Sequence, residues 1–188
     1  NGWQLVKELK ESSFDEKYDF AIFSAGSDIS KKFAPIAEKK GAVVIDNSSA
    51  WRMAKECALI VPEINLNHFD TARKIVANPN CSTIQSVLPL KPLSDNFGLK
   101  RVVYTTYQAV SGSGQKGKDD LIRTLKGEEP AFYPYNISQT CIPHIDVFTD
   151  NGYTKEEIKM VNETRKILNL PNLPVSATCV RVPVLNAH

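Results

Sequence analysis

Tyr18–Asp46 reads YDFAIFSAGSDISKKFAPIAEKKGAVVID, and this stretch decides the fold. Its opening, Tyr18–Gly26, is an apolar run closing on small residues, the pattern of a strand buried in a parallel sheet. Ser27 through Lys40 then carries Ile29, Phe33, Ile36 and Ala37 at helical spacing, with Ser27 or Asp28 placed to cap it. Pro35 inside that segment predicts a kink or a later true start. After Gly41, Ala42–Asp46 is a second apolar strand. Strand, helix and strand within about thirty residues make a βαβ unit, right-handed by rule.

Toward the N-terminus, residues 3–11 read as a short helix or a charged strand. Toward the C-terminus, Asn47–Met53 is a polar loop at the carboxyl end of a strand, where open α/β sheets place ligands. Ala58–Asn65 predicts another strand stopped by Pro62, and Lys74–Asn80 a short strand entering a Pro/Asn turn. Residues 81–97 suit an amphipathic helix with Ile84, Val87, Leu88 and Leu93 inward, despite Pro89 and Pro92. Arg101–Val110 alternates as a strand and gives way to a loop over 111–118. A helix over 119–126 and a Pro- and aromatic-containing connection over 127–145 follow. Thr154–Asn169 is the clearest helix: Thr154 caps, Glu157 takes the capping-box position, and Ile158, Val161, Ile167 and Leu168 face inward. Ser176–Val184 is the last strand, and no repeat or low-complexity tract interrupts the pattern.

Composition narrows the function classes. Hydrophobic residues at 42% and charged residues at 23% describe a globular chain rather than a disordered one. A net charge of +2 without a basic run argues against nucleic acid or an anionic membrane as main partner. No apolar run approaches the ~18 residues of a membrane span. Cysteines at 57, 81, 141 and 179 form no CxxC pair, which fits thiols in a reducing, cytoplasmic compartment and no metal-ligand set. A chain that starts at Asn1 and stops at His188 just after a strand reads as a piece of a longer polypeptide.

Cys81 follows the Pro79–Asn80 turn at the start of a predicted helix. Helix dipole and unpaired N–H groups there stabilise a thiolate, and the same N–H groups can hold an oxyanion. A buried, inert thiol is the competing reading for Cys81, and the preferred one for Cys57, Cys141 and Cys179. His68, in a polar stretch, reads as a surface or capping residue, while His144 stays open as a base. His188 follows the strand that carries Arg181, so one strand end can aim an imidazole and a guanidinium into a cleft. From spacing alone, Glu156 and Lys159 are a solvent-facing i,i+3 pair, and Arg52 stacks on Trp51.

FSAGSDISKKFAPIAEKKGAVVIDNSSAWRM, VANPNCSTIQ, YQAVSGSG, EEIKMVNETRKI and SATCVRVPVLNAH occur in that order across almost the whole chain. Together they resemble the aspartate-semialdehyde dehydrogenase family. The resemblance implies an α/β fold: a partial Rossmann-like dinucleotide-binding domain over residues 1–77, then part of an α+β catalytic and dimerisation domain over 78–188. It implies Cys81 as the thioester-forming nucleophile, His188 as acid and base, and Gln108 as a substrate contact. Arg181 would take the substrate carboxylate, Glu156 its amine, and Arg52 and Lys159 the phosphate, with Asn80 lining the same site. Ser24, Ala25 and Gly26 would lie against the phosphates or ribose of NADP, and Ser111 and Gly112 on its nicotinamide side. The implied reaction is NADP-dependent reductive dephosphorylation of L-aspartyl 4-phosphate to L-aspartate 4-semialdehyde, in lysine, threonine and methionine biosynthesis, by a homodimer or homotetramer.

The family's glycine-rich GxTGxVG turn, its 2′-phosphate-selecting basic residue and its C-terminal part do not occur in these residues, so the piece alone is expected to be inactive. Three alternatives stand beside this reading. An N-acetylglutamyl-phosphate reductase would not call for Glu156, because an acetylated amine carries no charge. A truncated structural module would explain the missing turn. A cysteine hydrolase would pair Cys81 with His144, oriented by Asp146.

Overall fold

The computed structural model describes residues 5–188. Two compact units divide at Asn80/Cys81, against a sequence-based boundary at 77/78. Of the first expected element, residues 3 and 4 lie outside the described residues. Residues 5–10 are irregular and Glu11–Phe14 makes one 3-10 turn, so neither helix nor strand forms there. Leu5 and Val6 are exposed, and an element with no packed face has nothing to offset its ordering entropy.

The first unit is a parallel sheet in the order β1-β2-β4-β3, from β1 (Phe20–Phe23), β2 (Val43–Asp46), β3 (Ala58–Leu59) and β4 (Ile75–Ala77). Helix α1 (Ser27–Lys39) crosses from β1 to β2, and α2 (Pro62–Asn65) is one turn where the strand reading had run on. Phe33, Ala34 and Ala37 of α1 pack with Phe14, Phe23, Val44 and Ile75. The helix runs through Pro35 without ending. Its N-cap is Gly26, at φ +93, rather than Ser27 or Asp28; the Ser27 hydroxyl instead pairs with Ser49 at 3.0 Å. β1 was expected to be buried, yet Phe20 and Ile22 are 65% and 78% exposed, because it is an edge strand and one of its faces is uncovered.

The second unit is built on α3 (Cys81–Phe97), β5 (Val102–Gln108), α4 (Gly114–Leu125), α5 (Lys155–Ile167) and β6 (Val175–Arg181). β5 and β6 pair in parallel over seven residues, from Val102 against Val175 to Gln108 against Arg181. Alternation along them sends Val102, Tyr104, Ala177 and Cys179 into a core with Met160 of α5, and leaves Val103 and Tyr107 exposed. α4 begins inside the segment 111–118 read as a loop. On α3 the buried residues are Ser82, Thr83 and Val87, whereas Leu88 and Leu93 are exposed. The 127–145 connection is irregular as expected, and buried Asp120 holds it by accepting the Ala131 and Tyr133 N–H groups at 2.6 and 3.0 Å.

α5 departs from its expected face in an informative way. Its buried residues are Glu156, Glu157, Met160, Glu163, Thr164 and Ile167; Ile158, Val161 and Leu168 are only half-buried. An apolar-only count misses buried carboxylates, which persist because they are hydrogen-bonded. Glu157 Oε2 accepts the Thr154 N–H at 2.7 Å, closing the expected capping box, and its Oε1 accepts the Cys179 N–H of β6 at 3.1 Å. Thr154→Ala removes the cap and loosens this carboxylate, and is expected to destabilise the protein by about 1–2 kcal/mol in a denaturant titration. An unchanged midpoint would refute the role given to the cap.

Candidate functional site

Each unit carries part of the expected set. In the second, Cys81 opens α3 and is exposed. His188 Nε2 stands 3.3 Å from Cys81 Sγ. The segment after β6 folds back along the one after β5: the Ala109, Val110 and Ser111 N–H groups donate to Ala187, Val184 and Leu185 carbonyls. His188 Nδ1 lies 2.8 Å from Ala187 O and 3.2 Å from Ala109 N. The ring is therefore held on its far side while Nε2 faces sulfur.

Arg181 is buried at the end of β6, with Nη1 donating to Ala109 O at 2.6 Å. A Cβ placed on Gly112 would lie 2.8 Å from that Nη1 and 3.4 Å from His188 Cε1. Gly112 thus leaves the room that brings the guanidinium and imidazole together, while its neighbour Ser111 is half-buried on the same 3-10 turn. Gln108 is buried, donating Nε2 to Glu156 Oε1 at 3.1 Å while Thr106 donates to its Oε1 at 2.9 Å. Lys159 Nζ reaches Asp146 Oδ2 at 2.8 Å and Glu156 Oε2 at 3.4 Å. Glu156 and Lys159 are therefore not the solvent-facing pair that spacing suggested.

Asp146 was weighed only as a partner for His144. The structure gives its carboxylate to Lys159, and the His144 ring stacks on Phe148 at 4.3 Å between centroids. The imidazole facing Cys81 is that of His188, which removes the geometric basis of the hydrolase alternative. The Asp146–Lys159 contact is one the sequence does not signal beyond the place of Asp146 in the PHIDVF segment.

In the first unit, the carboxyl ends of β1, β2 and β4 carry a polar row. Asn78 donates to Asn47 Oδ1 at 2.8 Å, and Asn47 to Ser24 Oγ at 3.4 Å. Arg52 is buried, its Nε and Nη2 donating to the Asn78 and Asn47 carbonyls at 2.9 and 3.1 Å. The aromatic ring of Trp51 instead faces Arg73, at 5.8 Å, and its Nε1 donates to Ser30. Asn80 is buried. Ser24, Ala25 and Gly26 form the turn into α1, whose N-terminus has no side-chain cap, and a Cβ on Gly26 would meet nothing within 4 Å. A cavity of about 330 Å³ opens there between Phe20, Ile22, Ile29, Ser24 and Ala25. Uncapped helix N–H groups, an open glycine turn and an apolar cavity fit one edge of a dinucleotide.

A parallel α/β unit is thus followed by one in which a helix-N-terminal thiol meets an imidazole. The chain belongs to the semialdehyde dehydrogenase family: residues 90–188 match its dimerisation domain and residues 3–72 its NAD binding domain. It is similar to aspartate-semialdehyde dehydrogenase of Campylobacter jejuni at 54% identity and of Aquifex aeolicus at 53%. Each match covers 97% of this chain, and the chain spans 56% of each of these relatives. The crystal structure of Vibrio cholerae aspartate-semialdehyde dehydrogenase II complexed with ASA is 47% identical with a TM-score of 0.86, over 97% of this chain and 55% of that one. The α/β fold with a nicotinamide-dinucleotide-binding unit is the architecture expected from sequence.

Thiol chemistry separates the four cysteines, which no disulfide joins among the described residues. Burial pushes the Cys179 thiol up to about 11, and burial also raises Cys57 against the pull of Arg73. Alkylation near neutral pH with peptide mapping is expected to label Cys81 first and leave native Cys179 and Cys57 unmodified. Faster labelling of any of the other three would overturn the assignment. No helix among the described residues is long and apolar enough to cross a membrane.

Proposed function

We propose that these residues serve an NADP-dependent aspartate-semialdehyde dehydrogenase, acting in the biosynthesis of lysine, threonine and methionine as a cytoplasmic homodimer or homotetramer. The observation that carries the reading is the 3.3 Å contact between His188 Nε2 and Cys81 Sγ at the start of α3. In the biosynthetic direction His188 takes the thiol proton, and Cys81 Sγ forms a bond to the acyl carbon of L-aspartyl 4-phosphate. Phosphate leaves as that carbon–oxygen bond breaks, giving a thioester on Cys81. Backbone N–H groups at the head of α3 steady the oxyanion of the addition. A nicotinamide held beside Ser111 and Gly112 would, when bound, supply the hydride needed at the acyl carbon. His188 then returns its proton as the carbon–sulfur bond breaks and L-aspartate 4-semialdehyde departs.

The remaining side chains match the substrate group by group. Arg181 offers a fork to the carboxylate, Glu156 a carboxylate to the ammonium, with Gln108 hydrogen-bonded beside it. Arg52, Asn80 and Lys159 are assigned to the phosphoryl group, and Arg52 is oriented by its bonds to the Asn78 and Asn47 carbonyls. Ser24, Ala25 and Gly26 are assigned to the cofactor's phosphates or ribose, and Ser111 and Gly112 to its nicotinamide side. The preference for NADP over NAD belongs to this proposal. A substrate ammonium favours the aspartyl compound over N-acetylglutamyl phosphate, and the names of the relatives favour the enzyme over a structural module.

Two sets of variants test the division of roles in the whole protein. Arg181→Lys keeps the charge and loses the bidentate geometry, so transition-state stabilisation is expected to fall by roughly 2–4 kcal/mol. Gly112→Ala should lower kcat/KM for the semialdehyde too, because its methyl group displaces the guanidinium from Ala109 O. Steady-state kinetics with semialdehyde and phosphate varied separately check both, and unchanged semialdehyde kinetics in Arg181→Lys would discard the assignment.

A further inference from the structure

Asp146 has no part in the reaction described above, yet it is built into the same side-chain cluster. Its backbone is left-handed, at φ +68, a conformation aspartate tolerates better than most residues. The chain after it doubles back: Val147 O accepts the Lys155 N–H at 2.9 Å, and Phe148 bridges to Thr154. This hairpin sets Asp146 beside the opening of α5. There Oδ2 accepts from Lys159 Nζ at 2.8 Å, and Oδ1 accepts the Val147 N–H at 2.9 Å. Lys159 and Asp146 side chains are 28% and 34% exposed, so their contact is shielded from solvent on most sides.

Two carboxylates face this ammonium, Asp146 from the hairpin and Glu156 from α5, and the nearer by 0.6 Å is Asp146. Burial opposes the charged form of both partners, and in both the hydrogen bond and opposite charge prevail. The Asp146 carboxyl is held below its ordinary value, helped by Lys155, and the Lys159 ammonium above its own. The carboxylates engage two of the three ammonium N–H bonds, which leaves the third for a ligand oxygen.

We infer that Asp146 is a positioning residue that anchors the Lys159 ammonium for recognition of the substrate's phosphoryl group. The inference rests on the role proposed for Lys159. A lysine head group rides on a flexible four-carbon stem, and fixing it in the unliganded protein removes an ordering penalty that binding would otherwise carry. The left-handed turn serves this arrangement by setting the carboxylate toward α5. Asp146 acts through Lys159 and is not itself a catalytic residue.

The test is a double-mutant cycle in the whole protein, with Asp146→Asn, Lys159→Ala and the pair combined. Asp146→Asn is expected to raise the KM for phosphate about tenfold while kcat changes less than about threefold, the pattern of lost ground-state binding. The combined variant is expected to be no worse than Lys159→Ala alone. Asp146→Gly, which accepts the left-handed backbone without strain, should repeat the effect if Asp146→Asn folds poorly. Additive effects, or an unchanged phosphate KM in folded Asp146→Asn and Asp146→Gly, would overturn the inference. A second readout needs no turnover: acetylation of Lys159 at fixed pH, followed by mass spectrometry, should be faster in Asp146→Asn, because the amine loses the charge that keeps it protonated. Unchanged acetylation refutes the anchoring. Faster acetylation with a normal phosphate KM in Lys159→Ala upholds the anchoring and refutes the phosphate role of Lys159.

Discussion

The parallel register between β5 and β6 is the constraint on which the second unit depends. Its last pair sets Gln108 beside Arg181, both on the face that α5 covers. A slip of one residue would turn every side chain of one strand over, sending either Gln108 or Arg181 to the face where Tyr107 lies exposed. Beyond that pair the two strands leave the sheet together, and the 182–188 segment returns along residues 109–111 to bring His188 to Cys81. Strand register therefore determines where the imidazole stands.

Helix α5 reads that register through polar contacts. Glu157 takes the backbone N–H of Cys179, Thr164 meets the Tyr104 hydroxyl at 2.9 Å, and Glu156 meets Gln108. Apolar packing of Met160 against Cys179 supplies adhesion, but adhesion alone tolerates sliding. Directional hydrogen bonds at both ends of the helix do not, and each partner would be left buried and unsatisfied by a shift. The same helix carries Glu156 and Lys159, so its placement also sets the spacing of these two charges from Gln108.

Local patterns made much of the architecture legible. The βαβ segment, the Thr154 capping box and the alternation in residues 102–108 each express a periodicity that neighbours alone enforce. The reading failed where covering decided the outcome. β1 looks buried by composition, but one face of an edge strand has nothing on it. α5 hides carboxylates because each has donors supplied by distant segments, and no count of apolar residues can register that. Among site residues, Cys81 was legible from its place after a turn, and the others chiefly through a family resemblance. The Asp146–Lys159 contact was not legible because the partners lie thirteen residues apart and meet through a hairpin, whereas His144, the neighbour of Asp146, stacks on Phe148.

The thiol and the imidazole lie 107 residues apart in sequence. During synthesis at roughly 5–20 residues per second, Cys81 therefore leaves the ribosome several seconds before His188 does. Their contact waits for the β5–β6 pairing, which is of high sequence separation and so among the later ones to close. The Cys81–His188 contact is thus a late product of folding in the second unit, formed only once both strands and the segment after each are in place.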